Sequence, residues 1–173
     1  MSIKPLPWMS LVIPCAFLRF VVFAPTIYYQ GFASDHHRVI SRNEILHNGT
    51  YNTAFATGEQ LANKWATFVF YWNITAWLPT IWLLPPLGLP LVVVDTVTTV
   101  YLSMATHYQT GYAYHSKGRC SLNVVEQRPL ALNESFWFAA ARLNETVTSP
   151  ITMCREFVEE WQYGVAISYV SHA

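Results

Sequence analysis

Charged residues are scarce in this chain of 173 residues. Asp, Glu, Lys and Arg make up only 12% of it, whereas an ordinary soluble domain carries about twice that fraction. Too little charge is left to cover a surface that faces water on all sides. The ten basic and ten acidic residues cancel, and no basic run is long enough to follow a phosphate backbone. We therefore expect no nucleic-acid partner.

Recognisable catalytic and cofactor motifs are also lacking. None of the three cysteines forms a CxxC pair, and no Rossmann or P-loop glycine pattern is present. His36 and His37, together with His47, could suggest a metal site, but adjacent histidines cannot easily both point at one ion. We interpret them as solvated loop residues. The sequence thus predicts no metal, no cofactor and no catalytic residue.

Hydrophobic residues are abundant instead, at 53%, and the aromatic fraction of 16% is rich in Trp and Tyr, which prefer the bilayer interface. The pattern predicts a single all-α domain over residues 1–173, a transmembrane bundle of about four helices. A spanning helix needs about 20 apolar residues. The predicted helices cover about 8–29, 65–84, 87–106 and 153–173. The fourth is expected to be short or incomplete, because three glutamates occupy its first turns, where we interpret them as solvated.

Two long polar stretches separate these segments, at 30–64 and 107–149, and we predict that both are loops. Within the second, Phe136–Leu143 could form a short helix on the surface. Three N-glycosylation sequons occur in the loops, at Asn48, Asn133 and Asn144. The first apolar segment could also be a cleaved signal peptide, but no clean small-x-small site follows it.

Arg19 and Asp95 are ionisable residues inside predicted membrane helices, where such groups are costly and often functional. One hypothesis pairs them as a structural ion pair between the first and third helices. In the alternative, which we favour, Arg19 marks the start of a helix running to Phe32 and reaches the headgroups. Asp95 would then bond hydroxyls such as those of Thr98 and Thr99 across helices.

Three features resemble the MARVEL family of small fungal membrane proteins. The first is Leu18-Arg19-Phe20-Val21-Val22-Phe23-Ala24, similar to the start of the family's first helix. The second is Pro90-Leu91-Val92-Val93-Val94-Asp95-Thr96-Val97, similar to its third helix. The third is Cys120 with Cys154-Arg155-Glu156, since the family has a cysteine in the last loop and a Cys-Arg pair that opens the fourth helix. The family's glutamine after the first arginine is missing.

The resemblance implies a multi-pass membrane protein that organises or scaffolds membrane, in vesicle traffic or plasma-membrane domains, without catalysis. Its partners would be the lipid bilayer and other membrane proteins or further copies of itself. The alternative is a small membrane enzyme or accessory factor for a lipophilic metabolite. The positive-inside rule places the long loops in the cytoplasm. The resemblance and the sequons place them outside, which we follow, and a Cys120–Cys154 disulfide is then possible.

Overall fold

The computed structural model describes residues 9–47, 51–81, 85–127, 133–147 and 149–172 and is all-helical over these ranges. The all-α prediction is therefore confirmed. Four long helices make the bundle, and three short helices with one 3₁₀ turn lie at one end. In chain order they are α1 (Met9–Arg42), α2 (Glu44–His47), α3 (Thr53–Ile81), α4 (Pro85–Thr110), the 3₁₀ turn (Lys117–Arg119), α5 (Leu122–Val125), α6 (Phe136–Leu143) and α7 (Pro150–His172). The predicted boundaries at Trp8, Leu84 and Ala173 lie outside the described residues.

The long helices form a closed ring in the order α1, α3, α4, α7, because each packs on the next and α7 packs back on α1. Short helices α2, α5 and α6 and the 3₁₀ turn pack around the ends of α1, α3 and α7. A disulfide between Cys120 and Cys154 joins the segment after the 3₁₀ turn to α7, with 5.9 Å between the two Cα atoms.

Helices α1 and α3 are much longer than predicted, and most of the expected loop at 30–64 is helical. In α1 the buried residues Tyr29, Ala33, His36 and Ile40 recur at helical spacing, so one face of this polar stretch points inward. The fourth predicted helix is not short either, since α7 has 23 residues and begins at Pro150.

The packing divides the bundle into two parts. We call residues 9–28, 65–81, 85–108 and 161–172 the apolar half, and the remaining described residues the cap half. Small residues bring the helices together beside the boundary, where Ala33, Ala62, Ala66 and Ala105 are fully buried. Such residues allow close approach of helix backbones. In the cap half the core is aromatic instead, and the ring centroids of Phe55 and Phe136 are 3.7 Å apart.

Helix α6 corrects a second expectation. The structure forms it over Phe136–Leu143, but five of its eight residues are buried, so it does not lie on the surface. Ser135 caps its N-terminus by accepting a hydrogen bond from the Phe138 amide. Phe136 and Trp137 then insert between the long helices, where both contact the ring of Phe157.

One helical stretch in the described part of the chain, Leu89–Thr110, is long and apolar enough to cross a membrane by length and composition. Only 33% of the apolar window within it is buried, whereas the core helix of a soluble protein would be mostly buried. This finding indicates membrane association.

Candidate functional site

A cluster of buried polar side chains lies where the four long helices meet, just inside the cap half. It takes one residue from each helix: His36 from α1, Glu59 from α3, Gln109 from α4 and Glu160 from α7. Each is at most 1% exposed. We call these four residues the polar cluster. The interpretation of His36 and Glu160 as solvated is therefore wrong.

Hydrogen bonds connect the polar cluster across all four helices. Gln109 Nε2 lies between the two carboxylates and donates to Glu160 Oε1 at 2.5 Å and, more weakly, to Glu59 Oε1 at 3.4 Å. The Tyr112 hydroxyl donates to Glu59 Oε1 at 2.5 Å. Glu160 Oε2 contacts His36 Nδ1 in a buried ion pair.

Four buried atoms in and beside the cluster have no hydrogen-bond partner among the described residues: Tyr29 Oη, His36 Nε2, Glu59 Oε2 and Gln109 Oε1. A buried polar atom without a partner costs about 1–3 kcal/mol. Native structures rarely keep several such atoms in one place without a reason. The grouping of these atoms therefore marks the cluster as the candidate functional site.

The carboxylates set the charge of the cluster. Burial alone lowers the pKa of His36, but the nearby Glu156 carboxylate, the contact with Glu160 and the negative charges of Glu160 and Glu59 outweigh it. Together they raise the pKa of His36 from 6.5 to about 10. Burial, followed by the charge of Glu160, raises the pKa of Glu59 well above its usual value. Both shifts favour the protonated form of the side chain.

Local packing fixes the positions of these groups. The His36 ring stacks on Phe157 with centroids 3.9 Å apart and an interplanar angle of 10°. Gly58 allows the Tyr112 ring to approach α3, because a Cβ at Gly58 would meet the Tyr112 hydroxyl oxygen at 2.6 Å. That approach brings the hydroxyl to Glu59.

The apolar half contains a second set of interacting polar side chains, centred on Arg19 and Asp95. The Arg19 guanidinium forms an ion pair with Asp95 and donates a long hydrogen bond of 3.4 Å to the Asn73 side chain. Trp72 Nε1 donates to Asp95 Oδ1 at 2.6 Å. The structure thus brings together the two residues that the first hypothesis paired.

The alternative for these residues is not what the structure shows. Helix α1 begins before Arg19, at Met9, so Arg19 does not start the helix. The hydroxyls of Thr98 and Thr99 donate to backbone oxygens one turn earlier in α4 and not to the Asp95 carboxylate. Asp95 is held by side chains from α1 and α3 instead.

The sequon residues differ in their surroundings. Asn48 lies outside the described residues. Asn133 is exposed. Asn144 is buried, its Oδ1 accepts from the backbone and hydroxyl of Thr146, and its Nδ2 contacts Met153 Sδ at 3.7 Å. A glycan on Asn144 would require this nitrogen to leave the folded core.

Sequence reasoning missed the polar cluster, although a signal was present. Phe55, Glu59, Ala62 and Ala66 follow the spacing of a buried helix face. Apart from Phe55, the face is made of two alanines and one glutamate, so its mean hydropathy does not mark it as a buried face. Glu156 and Glu159 resemble Glu160 in sequence but are only partly buried, and Glu159 pairs with Lys117.

The chain matches no protein-family model, no curated protein and no solved structure. The resemblance to the MARVEL family therefore stays a prediction.

Proposed function

We propose that this chain is a multi-pass membrane protein of the MARVEL type, whose four long helices cross a bilayer. It organises or scaffolds membrane by association with lipid and with other membrane proteins, including copies of itself, and it is not an enzyme. The observation that carries the membrane part is the distribution of exposed apolar side chains.

Large hydrophobic side chains are exposed along the whole apolar half. Phe17 and Phe20 of α1, Tyr71 of α3 and Leu89 and Val92 of α4 each expose more than 60% of their surface. Among the described residues, only three exposed large hydrophobic side chains lie outside this half. They are Ile45, Leu122 and Phe138. An apolar surface that continues over several helices is typical of contact with lipid and unfavourable in water.

The charges agree with a bilayer around this half. Arg19 and Asp95 are its only Asp, Glu, Lys or Arg residues, and they pair with each other. A charge in the hydrocarbon region is costly, so such residues usually face the bundle interior and pair. Lys64, next to the boundary, lies 6.0 Å from the centroid of the Trp65 ring, and Trp is common at this level of a membrane.

The cap half would then face the lumen or the cell exterior. The Cys120–Cys154 disulfide supports this orientation, because disulfides persist in oxidising compartments. The positive charges of the cap half argue for the opposite orientation, but a disulfide would not persist in the reducing cytosol. We therefore propose that the protein resides in the secretory pathway or the plasma membrane.

Burial of the polar cluster supports a non-catalytic role. Its side chains are at most 1% exposed, so a substrate has no direct access to them. A surface groove of about 410 Å³ on α4 is lined by Val100, Ser103, Met104, His107 and Tyr108. If the chain were an enzyme, Asp95 with Glu156 or Glu159 would be its acid–base candidates. None of these three residues lines the groove.

Self-association of the chain in a bilayer is a direct test of the proposed scaffolding function. Chains labelled with donor and acceptor dyes are reconstituted into liposomes over a range of protein densities. We expect energy transfer above the value calculated for random mixing, and we expect an excess of unlabelled chain to abolish it. Transfer at the random-mixing value at every density would contradict self-association. Recovery of the expressed protein in the soluble fraction after alkaline washing would contradict the membrane part as well.

A further inference from the structure

The polar cluster has the composition of a metal site. One ligand atom each from His36, Glu59 and Glu160 lie within 4.8 Å of one another, and all three side chains are buried. They come from three different helices, and Gln109 from the fourth touches both carboxylates. A buried ion pair alone would need only one of the two glutamates.

The unpartnered atoms point to a cation. Glu59 Oε2 and Gln109 Oε1 are acceptors without a donor among the described residues. Both belong to residues at most 1% exposed, so bulk water cannot serve them. A bound proton would satisfy one acceptor, whereas a metal ion at the centre would satisfy several at once.

We propose that the polar cluster binds one divalent first-row transition-metal ion, through His36 Nδ1, a carboxylate oxygen each of Glu59 and Glu160, and Gln109 Oε1. The two carboxylates neutralise the double positive charge, so the occupied site is electrically neutral. Neutrality matters here because an unbalanced buried charge is strongly unfavourable.

The mixed donor set selects the class of ion. Imidazole nitrogen together with carboxylate oxygen suits Zn²⁺, Fe²⁺ and Mn²⁺, whereas Ca²⁺ and Mg²⁺ take oxygen ligands. In the structure the Gln109 amide nitrogen faces the two carboxylates. A half-turn about the last side-chain bond would bring Oε1 to the ion in its place and release both of these hydrogen bonds.

The surrounding groups suit a bound ion. His36 Nε2 lies 3.8 Å from Glu156 Oε2. A carboxylate on the far nitrogen of a metal-bound histidine orients the ring. The Tyr112 hydroxyl holds Glu59 in a similar way. Since the site is closed to solvent and draws on all four long helices, the ion would fasten the bundle and not carry out a reaction. This inference does not depend on the proposed membrane function.

The test uses the full-length chain, purified in detergent without a histidine tag. It is stripped with a chelator, incubated separately with Zn²⁺, Fe²⁺ or Mn²⁺, desalted and analysed for metal. We expect about one ion per chain with at least one of the three metals and a lower thermal midpoint after stripping. Less than about a tenth of an ion per chain with all three metals, with no change of midpoint on stripping, would overturn the proposal.

Matched variants locate the site. Glu160→Gln and His36→Gln should lower metal occupancy at least about tenfold. The neighbouring changes Glu159→Gln and His37→Gln should leave it unchanged, since Glu159 pairs with Lys117 at the surface. If the control variants lost as much metal as the variants at His36 and Glu160, the binding would be non-specific and the assignment would be overturned.

The Glu59→Gln variant distinguishes a metal site from an ion pair that holds a proton, because the two predict thermal-midpoint changes of different sign. Without an ion, the change replaces a carboxyl group that is costly to bury in its charged form and keeps the oxygen that accepts from Tyr112, so the thermal midpoint should stay the same or rise. With an ion, the variant loses a ligand and should melt below metal-loaded wild type. If a variant fails to fold, the metal content of wild type decides alone.

Discussion

The two halves of the bundle handle polar groups in opposite ways. The apolar half exposes large hydrophobic side chains and keeps its single ion pair, Arg19 with Asp95, between helices. The cap half carries most of the charged residues, yet it buries His36, Glu59 and Glu160 at its centre. The comparison shows that a single helix can take part in both halves. At one end of α1, apolar residues such as Phe17 and Phe20 point outward, and at the other end the polar His36 points inward.

The means of stabilisation differ as well. Small residues hold the long helices close together near the boundary, with alanines on three of them. In the cap half, short connecting segments are tied to α7 by aromatic packing and by the disulfide. We therefore expect covalent, electrostatic and steric changes to affect the two halves unequally.

Loss of the disulfide should have the largest effect and should act on the cap half. Cys120 and Cys154 are 34 residues apart in sequence, and closing such a loop stabilises a protein by about 3–4 kcal/mol. In a Cys120→Ser/Cys154→Ser variant, hydrogen exchange should increase in α5 and α6 and remain slow in residues 89–105. Equal loosening of both regions would show that the halves are not separable.

Breaking the ion pair should act on the apolar half instead. Arg19→Leu leaves Asp95 without its countercharge and should destabilise the bundle by about 3 kcal/mol, at the low end for such changes because the Asp95 side chain is 42% exposed. The double variant Arg19→Leu/Asp95→Leu should regain most of the stability that the single variant loses, as measured by thermal unfolding in detergent. No recovery in the double variant would contradict a pairwise interaction.

Three glycines provide a smaller, steric comparison. A Cβ at Gly164 would meet Thr106 Cγ2 at 2.4 Å in the contact of α4 with α7, whereas a Cβ at Gly31 meets nothing within 4 Å. Gly164→Ala should therefore destabilise by about 1–3 kcal/mol. Gly31→Ala should be neutral or stabilise by up to about 1 kcal/mol. Gly58→Ala should resemble Gly164→Ala because of Tyr112. Thermal midpoints that do not separate Gly31 from the other two would contradict the packing.

Glycosylation should have the smallest effect on stability but reports on orientation. If the cap half is lumenal, Asn133 can carry a glycan, whereas Asn144 is engaged with Met153 and Thr146. Removal of an endoglycosidase-sensitive mobility shift by Asn133→Gln, and not by Asn144→Gln, is the expected result. A shift lost only with Asn144→Gln would mean that this segment is not folded as described.

Much of the helical fold was predictable from the sequence because apolar runs are strong signals. The predicted run at 87–106 lies within α4, and the run at 65–84 coincides with α3 as far as Ile81. The sequence also offers Arg19 and Asp95, in the first and third predicted helices, as a possible pair. Phe136–Leu143 was also predicted as a helix, since its apolar residues are contiguous.

The polar halves of α1 and α3 could not be predicted by hydropathy. Their buried faces include Ala33, His36, Glu59 and Ala62, which are small or polar. These residues become a core only when four helices bring them together, and a single helix pattern does not contain that information. The sequence indicates a solvated His36 because this residue stands in a polar stretch, next to a second histidine. The site therefore depends on tertiary packing more than the fold does.

The central claim is that lipid surrounds the apolar half and water surrounds the cap half. Val93 on α4 and Leu122 in the cap half test it most directly, because their exposures are nearly equal, at 53% and 56%. A spin label is placed at each position in turn, in protein reconstituted into liposomes. Its collision rate is then measured with oxygen, which concentrates in lipid, and with a water-soluble nickel chelate. We predict that the label at Val93 meets oxygen and not the chelate, and that the label at Leu122 meets the chelate. Equal access of the chelate to both labels would contradict the account.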